Sequence, residues 1–161
     1  MKMATGTALT HIDGSGKAAM VDVSGKPRVR RTATARCSVY MAPATVELVR
    51  ANGLAKGDVL ATARIAGILA GKKTSDLIPL CHNIEIDKVA VDFTVLDDRI
   101  DIETLAICTD KTGIEMEALM AASVAALTIW DMCKAVDKNM RVDGLTLTEK
   151  TKESADAGNQ H

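Results

Sequence analysis

Thr32-Ala33-Thr34-Ala35-Arg36-Cys37-Ser38-Val39-Tyr40-Met41 alternates without a break. Ala33, Ala35, Cys37, Val39 and Met41 share one side; Thr32, Thr34, Arg36, Ser38 and Tyr40 share the other. A period of two with one apolar side predicts a half-buried strand. Pro43 suits a first helical turn and Asn52-Gly53 suits a stop, so a helix is expected over 43–52. A second helix follows, capped by Asp58 and running to about Gly71. Its small residues, Ala63, Gly67, Ala70 and Gly71 among them, predict close packing, since interior glycine costs about 1 kcal/mol against alanine.

Further out, 74–82 is expected to be a loop around Pro79. Ile84 and Ile86 share one parity, and Val89, Val91, Phe93 and Val95 the other, so a strand with a bulge at Asp87-Lys88 is expected. Asp97-Asp98 marks a turn, and 99–108 the returning strand. Asp110–Ile114 is expected to be a loop. Residues 115–137 then form a helix whose middle, Ala118–Trp130, is uncharged on every side. That predicts burial all round, with part of the surface against another subunit. A last strand covers about 140–148. With the second helix as an extra element, the order is βαββαβ. The fold expected is α+β: a ferredoxin-like antiparallel sheet, helices on one face. The 161 residues fit a single domain with an ordered core over about 9–148; 1–8 and 152–161 are expected to be mobile.

Twenty basic and 21 acidic residues give a net charge of −1, which argues against a dedicated nucleic-acid binder. Aromatic side chains, 2% of the chain, are too few for stacking bases. The apolar stretch 118–130 is too short to span a bilayer, and 1–17 lacks the apolar core of a signal peptide. Cys37, Cys81, Cys108 and Cys133 fit no zinc or redox spacing and suit a reducing, cytoplasmic setting. Three histidines are too few for a His-rich metal centre.

Four segments place charge where the folding pattern does not require it. Lys56-Gly57-Asp58 precedes a helix, where a lysine can hold an anion, although a solvated lysine beside an N-cap is the simpler reading. In Leu80-Cys81-His82, adjacent Cys and His diverge, so Cys81 is expected to be a small buried residue. His82 is either a proton carrier or phosphate donor, or a hydrogen-bonded structural histidine. In Lys111-Thr112-Gly113-Ile114-Glu115-Met116-Glu117, a loop glycine admits a ligand to the backbone. Glu115 and Glu117 cannot face the same way there, and both complement a helix N-terminus. Asp131 and Lys134, spaced i, i+3, continue the apolar stripe Met120, Val124, Leu127. They form either a surface pair or a sheltered acid/base pair.

Together these segments resemble the cyclic pyranopterin monophosphate synthases, lyases of molybdenum-cofactor biosynthesis. The matching stretches are Leu9-Thr10-His11-Ile12, Met20–Ser24, Lys56–Val59, Ala61–Ile68, Asp76–His82 and Lys111 through Val136, in order along residues 9–148. The resemblance implies a nucleotide-derived substrate, 3′,8-cyclo-7,8-dihydro-GTP. It also implies a homohexamer, a trimer of dimers, with active sites at subunit interfaces. By motif, Asp131 is the catalytic acid/base and Lys134 its companion. Leu80, Cys81, His82, Met116 and Glu117 contact substrate. Lys56, Lys111 and Glu115 take part in handling it, and Arg31 lies near the triphosphate. Asn83 stands where a proline is common, which changes the local loop. No tightly bound cofactor and no protein-held metal are expected, at most a Mg²⁺ loosely held with the triphosphate. Two rivals use the same cations: a non-catalytic binder of phosphorylated pterins, and a lyase forming a Schiff base on Lys134 or Lys56.

Overall fold

The computed structural model describes residues 17–153. The chain runs β1 (Val29–Tyr40), α1 (Pro43–Arg50), α2 (Val59–Lys72), α3 (Thr74–Leu77), β2 (Ile86–Val95), β3 (Arg99–Asp110), α4 (Glu115–Cys133) and β4 (Arg141–Lys152). The sheet is antiparallel in the order β2-β3-β1-β4. This is the ferredoxin-like α+β arrangement, with α2 and α4 on one face.

The alternation in β1 is what fixes this arrangement. Ala33, Ala35, Cys37 and Val39 are buried, and Ile100, Ile102, Ala106 and Cys108 of β3 join them on the same face. Alanines 118, 121, 122, 125 and 126 of α4 are fully buried on that layer. Such short side chains let the helix sit close to the sheet. The core therefore needs few large groups, which fits the scarcity of aromatics. Thr104, buried in β3, satisfies its hydroxyl by donating to the carbonyls of Ala35 (3.2 Å) and Ala118 (2.8 Å).

The α2–α4 seam is equally close. A Cβ on Gly67 would lie 2.8 Å from the Ala121 carbonyl oxygen, so only glycine fits there. The N-cap of α2 is Asp58, whose carboxylate accepts from Ala61 N at 2.9 Å. The bulge expected in β2 falls between Ile86 and Lys88.

Several expected boundaries move. α4 ends at Cys133, not 137, and a further turn carries the chain to β4. β4 continues to Lys152, beyond 148. Segment 74–82 holds the single-turn helix α3. Within the single chain α4 is not covered all round: Leu127 is 60% exposed. The shape of the sheet explains this, because it covers only one side of the helix and α2 covers a second. At 19 residues α4 is long and apolar enough to cross a membrane, but half of it is buried as the core helix of this domain. The segment 9–12, the expected mobile end 1–8 and residues 154–161 of the other expected mobile end, 152–161, lie outside the described residues; Lys152 belongs to β4.

Candidate active site

Most of the predicted residues fall into two groups, one at each end of α4. At its C-terminal end, Asp131 Oδ1 accepts from Lys134 Nζ at 2.6 Å. Asp131 Oδ2 accepts from Lys56 Nζ at 2.7 Å, and Lys56 also donates to the Asp131 carbonyl at 2.9 Å. One carboxylate thus sits between two ammonium groups. The hydrogen bonds from Lys134, then those from Lys56, hold its pKa down at about 2. Asp131 is a carboxylate throughout the neutral range.

The solvated-loop reading of Lys56 therefore gives way. Helix α1 and its hydrogen-bonded end bring this lysine to a residue 75 positions away. Of the two readings of Asp131 and Lys134, the single chain shows the surface pair: their side chains are 55% and 58% exposed.

At the N-terminal end of α4 lies a cleft of about 420 Å³. Its walls include Leu80, Cys81, His82, Glu115, Met116 and Glu117. Val21 and Val23, from the motif at 20–24, close it from the other side. The His82 ring meets the Val21 carbonyl at 2.7 Å. A carbonyl only accepts, so Nε2 carries the proton and Nδ1 is left for a ligand. Cys81 is partly exposed, contrary to expectation, because it lines this cleft. Burial and the nearby Glu117 charge raise its thiol pKa, so it is no thiolate at neutral pH.

Glu117 is the unusual member. It is only 4% exposed, and burial pushes its carboxyl up to about 7, with Glu115 adding to the shift. Glu115 and Glu117 line the same cleft. Glu115 forms an ion pair with Lys150 of β4. A Cβ on Gly113 would run into the Glu115 carboxylate, so this glycine makes room for that side chain.

Lys111 and Arg31 form a third, smaller set beside the cleft. Lys111 Nζ donates to the Ser24 carbonyl at 2.9 Å. Arg31 donates to the carbonyls of Asp110 (3.0 Å) and Lys111 (3.1 Å), bracing the loop that leads into α4.

Sequence reading missed Lys150 and Lys26, which add positive charge around the cleft. The apolar pattern of an exposed edge strand gives no signal for Lys150. The larger concavity, about 580 Å³ over the outer face of the sheet, holds none of the predicted residues. Among the described residues, no group of three or more His, Cys, Asp or Glu is placed to hold a metal ion.

About 14 residues of helix, or roughly 21 Å, separate Glu117 from Asp131. No single reacting atom can touch both ends of α4 within one chain, since direct proton transfer needs about 3 Å.

The MoaC family model matches residues 20–153. The chain is 52% identical over 144 residues to the cyclic pyranopterin monophosphate synthase of Chloroflexus aggregans, covering 88% of this chain and 87% of that one. It is 57% identical over 145 residues to the synthase of Heliobacterium modesticaldum, covering 89% and 91%. It is 50% identical over 152 residues to a molybdenum cofactor biosynthesis bifunctional protein of Chlorobaculum tepidum, covering 94% of this chain and 49% of that one. With this match across nearly every described element, the chain belongs to the MoaC family.

Proposed function

We propose that this protein is a lyase that converts 3′,8-cyclo-7,8-dihydro-GTP to cyclic pyranopterin monophosphate, with release of diphosphate, in molybdenum-cofactor biosynthesis. The relatives' names support the reaction. The observation that carries it for this chain is the Lys56–Asp131–Lys134 cluster, which joins two separately predicted segments. The setting is the cytoplasm, where all four cysteines stay free thiols.

Opening a purine-derived ring and rebuilding it as a pyrazine needs several proton transfers. Asp131 and Lys134 form the acid/base pair: the lysine ammonium delivers a proton and its amine takes one back, while the carboxylate holds and orients it. Glu117, poised near neutrality in its cleft, suits a further transfer. Closing the cyclic phosphate requires a ribose-derived hydroxyl to attack the α-phosphorus while diphosphate leaves. Charge grows on the leaving oxygens, and Lys56, Lys111 and Arg31 answer it with donors. A Mg²⁺ accompanying the substrate would be held chiefly by triphosphate oxygens.

The active unit is a homohexamer, a trimer of dimers, with each site assembled between subunits. Two features support this. The two ends of α4 are too far apart to serve one substrate in one chain. Exposed Ile65 and Leu69 of α2 and Leu127 of α4 leave apolar surface for a second copy.

The test is diphosphate and pterin formation from the cyclic dihydro-GTP by wild type, Asp131→Ala and Lys134→Ala. An active wild type with both folded variants inactive is expected. Tight binding without product by wild type would instead make this a binding protein.

A further inference from the structure

Helix α1 has no N-terminal cap of its own: Ala42 offers no side-chain acceptor. A carboxylate from the far end of the chain takes that place. Asp137 Oδ2 accepts from Ala42 N at 2.8 Å and from Thr45 Oγ1 at 3.2 Å, and Oδ1 accepts from Asn139 N at 2.9 Å. Reaching back to the N-cap N–H is what the glutamate of a capping box does locally; here the acceptor lies 95 residues away. Asp137 is 7% exposed and Thr45 3%. Backbone hydrogen bonds from Ala42 and Asn139 lower its pKa, so it is an anion beside the helix N-terminus.

What Asp137 joins matters more than the cap. On one side it belongs to the turn that carries Lys134: Lys134 N donates to Trp130 O at 2.9 Å and Asp137 N to Cys133 O at 3.1 Å. On the other side, α1 leads stepwise to Lys56. Gly53 N donates to Leu48 O at 2.8 Å, Leu54 is buried, and Gly57 N donates to Leu54 O at 3.0 Å. Each wall of the Lys56–Asp131–Lys134 cluster is internally braced, and Asp137 ties one wall to the other.

We infer that Asp137 is a positioning residue, holding the α1–Lys56 segment against the end of α4 so that both lysines meet the Asp131 carboxylate. This rests on the reading of Asp131 and Lys134 as the acid/base pair. Misplacing reacting groups by about 1 Å can cost up to about 100-fold in rate.

The test uses the full chain and the cyclic dihydro-GTP, well below the melting temperature of each variant. Both oxygens of Asp137 accept, so the amide in Asp137→Asn cannot serve all three donors. We expect kcat to fall about tenfold with KM within about twofold. In a Lys56→Ala background the same change should cost less than about twofold, because the group being positioned is gone. A lowered melting temperature with wild-type kcat would overturn the inference, as would losses that multiply in the double variant. Should Asp137→Asn fail to fold, Thr45→Val removes one bond at constant volume. Its kcat should fall about two- to threefold, again non-additively with Lys56→Ala; an unchanged kcat would overturn the inference. Normal turnover by Asp131→Ala would sink the underlying reading instead. An inactive Asp131→Ala beside a fully active Asp137→Asn would sink this inference alone.

Discussion

Glu117 and Asp131 are carboxylates on the same helix, and their surroundings drive them in opposite directions. At the start of α4, burial leaves Glu117 poor in solvation and raises its pKa to about 7. At the end of α4, Asp131 keeps its water and gains two ammonium partners, which hold it at about 2. Desolvation penalises the charge; pairing rewards it. One helix thus presents a carboxyl that exchanges protons near neutrality and a carboxylate that stays an anion and steers lysines. A reaction with several proton transfers can use both.

The largest expected effect comes from removing the paired carboxylate. Asp131→Ala should lower kcat by about 10² to 10⁴-fold, the usual range for losing a positioned acid/base group, while the fold survives. Steady-state assays on protein with native circular dichroism check this. Normal turnover would remove the distinction in role between the two ends.

Glu117→Gln should lower kcat by roughly 10²-fold and raise stability at alkaline pH. The folded-state pKa of about 7 lies above the ordinary 4.5, so burial favours the neutral acid. Folding is penalised progressively as pH rises from about 4.5 to 7, and fully above that. Glutamine carries no such penalty. Urea melts should coincide near pH 4.5, with the variant more stable at pH 8 by up to about 3 kcal/mol. Coincident melts at both pH values would mean that Glu117 titrates normally.

The seam between the two ends gives a stability effect with no titration. A Cβ at Gly67 meets backbone at Ala121, so Gly67→Ala should cost about 1–3 kcal/mol at any pH. Equal melting curves for the variant and wild type would mean that α2 does not hold α4 this closely. The smallest effect is expected at the Lys150–Glu115 pair, where one partner is half exposed. Lys150→Ala should change stability by less than about 1 kcal/mol, and KM should rise if its charge serves the cleft.

Local chemistry made most of the fold legible. The alternation of 32–41 located β1, Asp58 announced α2, and the phase slip at Asp87-Lys88 marked the bulge. β4 was cut short because Thr148, Glu149, Lys150 and Thr151 form an exposed edge with almost no apolar side to detect. The pattern carries α4 too far because no glycine or asparagine stands between Cys133 and Asp137. At the site, motifs name the candidate residues, but their partners are tertiary facts. Lys56 reaches Asp131 only through the packing of α1, and the depth of Glu117 depends on the cleft walls around 80–82. Whether Asp131 is sheltered stays open in the sequence for a related reason: a helix pattern tells which side is apolar, not whether the same chain covers it.

The most direct test of the account is to let two damaged chains complete one site. Asp131→Ala and Glu117→Gln, each nearly inactive alone, should be unfolded together, refolded as a mixture and assayed. If the ends of α4 from two subunits share a substrate, half of the random dimers are mixed and each mixed dimer holds one intact site. Activity should return to about a quarter of wild type. A properly assembled mixture no more active than the two separate variants would contradict the account, placing both carboxylates in one chain's site or one of them outside it.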